Sequence, residues 1–188
     1  MQYSVTISGS INSSHINLIQ AAILALDANP NLALVITLDS DGGDPDPAKF
    51  IYDILENYRH RTTAIAGKKC MSSAVLIFLA ADERIANHST QFMIHPTSWT
   101  LWGMYSFLKS YSLNHTDLTL TLSEVYTIQG QLRKAQERLL DIENYTDIIY
   151  KERAKLTDKR FLERRSVNAD QNLTADESLK LGISTKII

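Results

Sequence analysis

Eight consecutive apolar residues, 74–81, follow a pair of serines, and no charge interrupts them. Such a run is a helix or strand buried on all sides, so the chain must build layers of structure around it. Ser72-Ser73 stands where a helix would begin, after a β-type run at 62–66 that ends at Gly67, and serine is a preferred N-cap. Backbone N–H groups and the positive dipole end converge at a helix start, which suits a nucleophile whose reaction makes an oxyanion. A second apolar run, Phe92-Met93-Ile94, leads directly into His95, the natural base for such a serine. Each feature also has a plain reading: a capping serine, and a satisfied polar residue after a strand.

The rest of the composition narrows the classes. At 188 residues, 44% hydrophobic and 21% charged, the chain makes one globular domain, or one with an appendage. A net charge of −2 argues against nucleic-acid binding, because no basic block exists to neutralise a row of phosphates. A single cysteine, Cys70, excludes an internal disulfide and a multi-cysteine metal site, and it fits a reducing compartment. Its expected role is a small buried hydrophobe rather than a nucleophile. Neither a membrane-spanning apolar run nor a signal peptide is evident, so the expectation is a cytoplasmic protein with no membrane partner, cofactor or metal.

Along the chain, strand and helix patterns alternate. Residues 3–8 alternate as a strand that Gly9-Ser10 breaks. Asn12-Ser13-Ser14 then caps a helix to about Ala28, with Ile16, Ile19, Ile23 and Leu26 on one face. Residues 34–38 read as a strand buried in a parallel sheet. A dense Gly/Asp/Pro turn, DSDGGDPDP, comes next, and Pro45 and Pro47 suit the first turn of a helix with Phe50, Ile51, Ile54, Leu55 and Tyr58 inward. Strands at 62–66, near 84–86 and at 91–94 continue the series. The pattern predicts an α/β fold with a largely parallel sheet and right-handed crossovers. Ligands of such sheets gather at strand carboxyl ends, where Gly42-Gly43 and the loop at 67–73 would share one crevice.

Beyond His95 the character changes. Residues 96–113 are rich in aromatic and apolar side chains, including Trp99, Trp102, Met104, Tyr105 and Phe107, and 116–122 alternate like a strand. A long charged helix is predicted over about 123–156, with Ile128, Leu132, Ala135, Leu139, Ile142 and Ile149 near heptad spacing. At 1.5 Å per residue it would reach roughly 50 Å and project in search of a partner. Thr174-Ala175-Asp176-Glu177 forms a capping box for a helix that Gly182 ends, and a last short strand follows at 183–188.

Several separated stretches together resemble the ClpP-type serine peptidases of the ClpP/crotonase superfamily. They are ISGSI…NLIQAAILALDANPN at 7–31, SDGG at 40–43, KFIYDIL at 49–55, SSAVLIFLAAD at 72–82, MIHP at 93–96 and LTADESLKLGI at 173–183. The resemblance implies a repeated β-α-β spiral as a single domain over 1–188, with a head at 1–96 and 157–188 and a projecting handle at 97–156. It implies hydrolysis of peptide bonds in short or unfolded polypeptides inside a ring-shaped homo-oligomer. Counting back from Ala80-Ala81, it implies Ser73 rather than Ser72 as nucleophile, with His95 as general base. Backbone N–H groups of Gly43 and Ala74, less so Gly42, would form the oxyanion hole.

The chain departs from that pattern in places. No acid stands at Arg165 or Ser166, where the residue orienting the histidine would lie. Asp170, Glu163 or Asn168 would substitute, or the site would work as a Ser–His dyad. The first strand begins at about Tyr3, so the resemblance implies no axial-loop segment and disfavours docking to an AAA+ unfoldase. The handle region is longer than usual by roughly the aromatic segment, read as an oligomer interface or core patch ahead of a lid or membrane contact. Two further readings are a catalytically impaired scaffold subunit and an acyl-CoA-processing crotonase relative. A Ser–Lys site using Lys68 or Lys69 is a third, against which both lysines read as solvated loop charges.

Overall fold

The structure is a computed structural model that describes residues 2–29, 31–95, 122–154 and 170–188. The chain divides into two compact units, one made of 1–96 and 146–188, the other of 97–145. The expected aromatic segment at 96–113 lies outside the described residues, as does the expected strand at 116–122 except for Leu122, which is the first residue of the long helix.

In the first unit, strands β1 (Gln2–Ile11), β2 (Ala33–Gly43), β3 (Thr62–Met71), β4 (Glu83–Ala86) and β7 (Lys186–Ile187) form a parallel sheet in that order. Two more strands, β5 (Gln91–Ile94) and β6 (Gln171–Thr174), lie off this path; β5 pairs with β3 in parallel and β6 with β5 antiparallel. Between the strands run α1 (Ser13–Asp27), α2 (Pro45–Glu56), α3 (Ser73–Ala80) and α5 (Ala175–Lys180); the long α4 (Leu122–Arg153) precedes β6. This is the α/β order that the hydrophobic pattern predicts.

The sheet strands are longer than expected at three places, for one reason. Gly9-Ser10 does not end β1, the SDGG stretch does not leave β2, and Gly67 does not end β3, because each extension finds a ladder partner. Ser10 and Ile11 pair with Gly42 and Gly43 after a register irregularity, and residues 69–71 pair with 91–93. A paired backbone satisfies its N–H and C=O groups, and that outweighs local turn propensity.

Helix starts follow local chemistry closely. Asn12 Oδ1 accepts from the Ser14 N–H at 2.9 Å, and Asp44 Oδ1 accepts from the Asp46 N–H at 3.1 Å, with Pro45 at the first helical position. The faces differ in part from expectation. Ile19, Ala22 and Leu26 are the buried positions of α1, whereas Ile16 and Ile23 are only half-buried. In α2, Ile51 and Leu55 are buried with Ala48 and Tyr52, but Phe50 is 48% exposed. Ala48, Ile51/Tyr52 and Leu55 follow the three-to-four spacing of one face, which Phe50 does not share.

Helix α3 is buried from end to end, as its composition demands. At its far end lie Arg84, itself 7% exposed, and Arg153 from the end of α4. Burial first, then the charge of Arg153, pull the Arg84 pKa down. Helix α4 is continuous through Gly130, at a cost of about 1 kcal/mol for glycine in a helix interior. Its last turn joins the first unit, where Ile149 and Tyr150 are buried.

The capping box at α5 forms as expected: the Thr174 hydroxyl accepts from the Glu177 N–H at 3.2 Å, and Glu177 Oε2 accepts from the Thr174 N–H at 2.8 Å. Thr174→Ala should therefore lower stability by about 1 kcal/mol, read from urea unfolding at neutral pH. The Thr174 backbone N–H, then its hydroxyl, hold the Glu177 carboxyl below its ordinary value. A carboxyl lowered on folding stabilises above its unfolded pKa and loses that effect as pH falls through the folded one. The stability difference between wild type and Glu177→Ala should accordingly be constant near neutrality and shrink on acidification.

Candidate active site

Strand β3 ends at Met71 and α3 starts at Ser73, so one residue, Ser72, makes the whole turn between them. It does so with φ 53° and ψ −125°, and it alone among the described non-glycine residues has a positive φ. Such a conformation costs on the order of 1–3 kcal/mol and persists only where the surroundings impose it. Here they do: the Ser72 N–H donates to Met93 O at 2.7 Å, continuing the β3–β5 ladder one step past the Met71–Met93 pair. A sharp strand-to-helix turn of this kind lifts a serine hydroxyl clear of the sheet.

The same ladder delivers the histidine. With Met71 opposite Met93, the residue after β3 and the residue after β5 emerge side by side, and Ser72 Oγ lies 2.7 Å from His95 Nε2. Both residues are half-buried. That is hydrogen-bond distance for a hydroxyl and a general base.

This geometry corrects the expectation that Ser73 faces His95. Ser73 is the first residue of α3, 5% exposed, and its Oγ is buried with no hydrogen-bond partner. The two neighbouring hydroxyls thus point to different surroundings, Ser72 Oγ to His95 and Ser73 Oγ into the interior. Counting back from the helix end points to Ser73, whereas Ser72 is the serine that His95 meets. Counting forward along β3 would have found it, had the strand's extension past Gly67 been legible.

The Gly42-Gly43 stretch comes in from β2. Gly42 has φ 97°, and a Cβ there would stand 2.6 Å from Ser72 Cβ and 2.9 Å from Met71 O, so only glycine allows β2 to pass so near the serine. Its N–H donates to Ser40 Oγ at 3.0 Å and is thereby committed, which takes Gly42 out of the expected oxyanion donors. Gly43 is packed as tightly on its other side, where a Cβ would meet Ile11 O at 2.6 Å and Ser10 Oγ at 2.8 Å. Ser40, which sequence reasoning passed over, braces the turn: it is 2% exposed, and its hydroxyl also donates to Gly9 O at 2.5 Å. A buried serine two residues before a glycine pair is the signal that could have marked it.

On the exposed rim, Lys69 Nζ pairs with Asp41 Oδ1 at 2.9 Å, while the Lys69 N–H donates to Asp39 Oδ1 at 2.9 Å. The hydrogen bond to Asp41, then the charge of Asp41, raise the Lys69 pKa, which keeps it a cation and unsuited to act as a base. Cys70 is fully buried beneath the site, and burial pushes its thiol well up, so it is no nucleophile.

Of the residues expected to orient His95, Glu163 and Asn168 lie outside the described residues. Asp170 is described. The β5–β6 ladder ends at the pair Ile94–Gln171, which puts Asp170 and His95 at the next step of the same register. Asp170 is exposed there. Among the described residues no group of His, Cys, Asp or Glu is arranged to hold a metal ion, and no helix is long and apolar enough to cross a membrane.

Comparison with known proteins agrees with this architecture. A mutant of ClpP1 from Listeria monocytogenes superposes with a TM-score of 0.75 at 18% identity, over 98% of this chain and 90% of that one. At that identity the likeness speaks for the fold. No curated protein matches in sequence. The Clp protease family model matches residues 1–188, the whole length, and the chain belongs to the Clp protease family.

Proposed function

We propose that this chain is a serine peptidase of the Clp type in which Ser72 is the nucleophile and His95 the general base. The 2.7 Å contact between Ser72 Oγ and His95 Nε2, at a strained strand-to-helix turn, carries the reading. His95 takes the hydroxyl proton as Oγ attacks a peptide carbonyl. The resulting oxyanion is held by backbone N–H groups. Collapse expels the amine, which receives the proton from the imidazolium, and water then hydrolyses the acyl-enzyme by the same steps. With Ser72 as nucleophile, the N–H following it belongs to Ser73, which replaces Ala74 as the first oxyanion donor. The Ser73 N–H sits in the first helical turn, where no intrahelical acceptor exists. Gly43 N–H is the second donor, since the Gly42 N–H is engaged. Asp170 is the orienting acid on the strength of its ladder position opposite His95.

Substrates are short or unfolded polypeptides, and the working form is a cytoplasmic homo-oligomeric ring. Exposed apolar side chains along α4, at Tyr126, Leu132 and Leu140, support assembly with further copies.

A fluorophosphonate probe followed by mapping of the modified residue tests the assignment. Ser72→Ala should abolish labelling and lower peptide cleavage by about 10⁴-fold or more, whereas Ser73→Ala should label and cleave like wild type. Labelling that survives in Ser72→Ala would move the nucleophile elsewhere; a wild type that never labels points to a scaffold subunit. Gly42→Ala should slow labelling by at least about tenfold while circular dichroism stays native, because the added methyl must push Ser72 aside.

A further inference from the structure

The helix behind the reacting serine has almost nothing directional along its length. All of α3, Ser73–Ala80, is buried, and every residue but Ser73 is apolar. Apolar burial is non-directional, so it resists sliding or rotation of the helix only through shape. Directional bonds are confined to the ends. At the start, Ser72 N–H reaches Met93 O and its hydroxyl reaches His95. At the finish, the Arg153 guanidinium donates from Nε to Leu79 O at 3.0 Å and from Nη2 to Ala80 O and Ala81 O at 3.0 and 3.1 Å.

Arg84 backs this arrangement. Its Nη1 donates to Ala81 O at 3.0 Å, its Nε to Ile183 O at 2.7 Å, and its Nη2 to the Gly182 and Arg153 carbonyls at 3.1 Å each. Glu56, on α2, stands 3.4 Å from Arg153 Nη1. The two cations meet the negative end of the α3 dipole. Yet helix carbonyls are commonly satisfied without charge by a glycine turn, and burying like charges together is costly. A structural cap alone does not call for two guanidinium groups.

We infer that Arg153, braced by Arg84, is a positioning residue for the reaction: it sets the axial place and rotation of α3, and thereby the position of Ser72 Oγ against His95. The inference rests on the assignment of Ser72 as nucleophile. The tolerance is small, because the Cβ-free face of Gly42 leaves no slack beside Ser72. Arg153 is also the last residue of α4, so the end of that helix is bolted to the one bearing the serine.

The test compares full-length wild type, Arg153→Met and Arg153→Lys, with a fluorophosphonate for labelling rates and a fluorogenic peptide for kcat and KM. All rates are taken well below each melting temperature. Arg153→Met should lower the labelling rate constant and kcat by roughly 10- to 100-fold. KM should stay within about twofold, and Arg153→Lys should recover part of the loss. Amide hydrogen exchange at residues 75–81 should accelerate in Arg153→Met. A merely structural arginine would lower the melting temperature while the folded protein labels at the wild-type rate, and that result overturns the inference. So does a loss confined to KM. If Arg153→Met does not fold, Arg153→Lys decides alone, and a wild-type labelling rate in it overturns the inference. If wild type itself is never labelled, it is the nucleophile assignment that fails; exchange then judges the clamp, and unchanged exchange over α3 in Arg153→Met sinks it.

Discussion

The site depends on one strand having two successive partners on the same edge. Residues 63–66 of β3 pair with β4, and residues 69–71 pair with β5. Had β3 stopped at Gly67, β5 would have no place beside it. Because the strand runs on, its last residue lies opposite Met93; Ser72 stands one step past that pair and His95 two, and they meet without any long-range search. The contact between Ser72 and His95 is thus a by-product of hydrogen-bond register. A one-residue slip in that ladder would turn the side chains to the opposite face and separate hydroxyl from imidazole.

Much of the fold was legible because burial imposes strong patterns. The uncharged run at 74–81 had to be interior, the near-continuous apolar run at 34–38 had to be a central parallel strand, and Asn12, Pro45 and Thr174 marked where helices begin. The failures are of two kinds. Strand ends at Gly9, Ser40 and Gly67 were misread because glycine and polar residues argue locally for turns, while the ladder partners that override them are distant in sequence. Which serine meets His95 was not legible for a related reason. Ser72 and Ser73 have the same side chain, and only the end of β3 and the onset of α3 tell which one points at His95. His95 itself was legible, since a histidine directly after a short apolar strand had one natural place to go.

Several local rules are broken close to the site. Ser72 adopts a backbone conformation that serine avoids, Ser73 buries a hydroxyl without a partner, and Gly42 and Gly43 give up side chains to let strands approach. Each departure costs stability, of the order of 1–3 kcal/mol for the strained serine and a similar amount for an orphaned hydroxyl. The surrounding core is apolar at its largest positions: Ile7, Ile36, Leu38, Ile77 and Phe92 are fully buried. Several departures from local rules gathered within a few residues are expected where a structure serves something other than its own stability.

Cys70 lies sealed under this region, and the phenol of Tyr150, likewise fully enclosed, interacts with it electrostatically. The chain therefore behaves toward maleimides and mild oxidants as if it carried no sulfhydryl at all. A cysteine placed anywhere on its surface would become the sole point of attachment for a dye or spin probe, without first removing the native one.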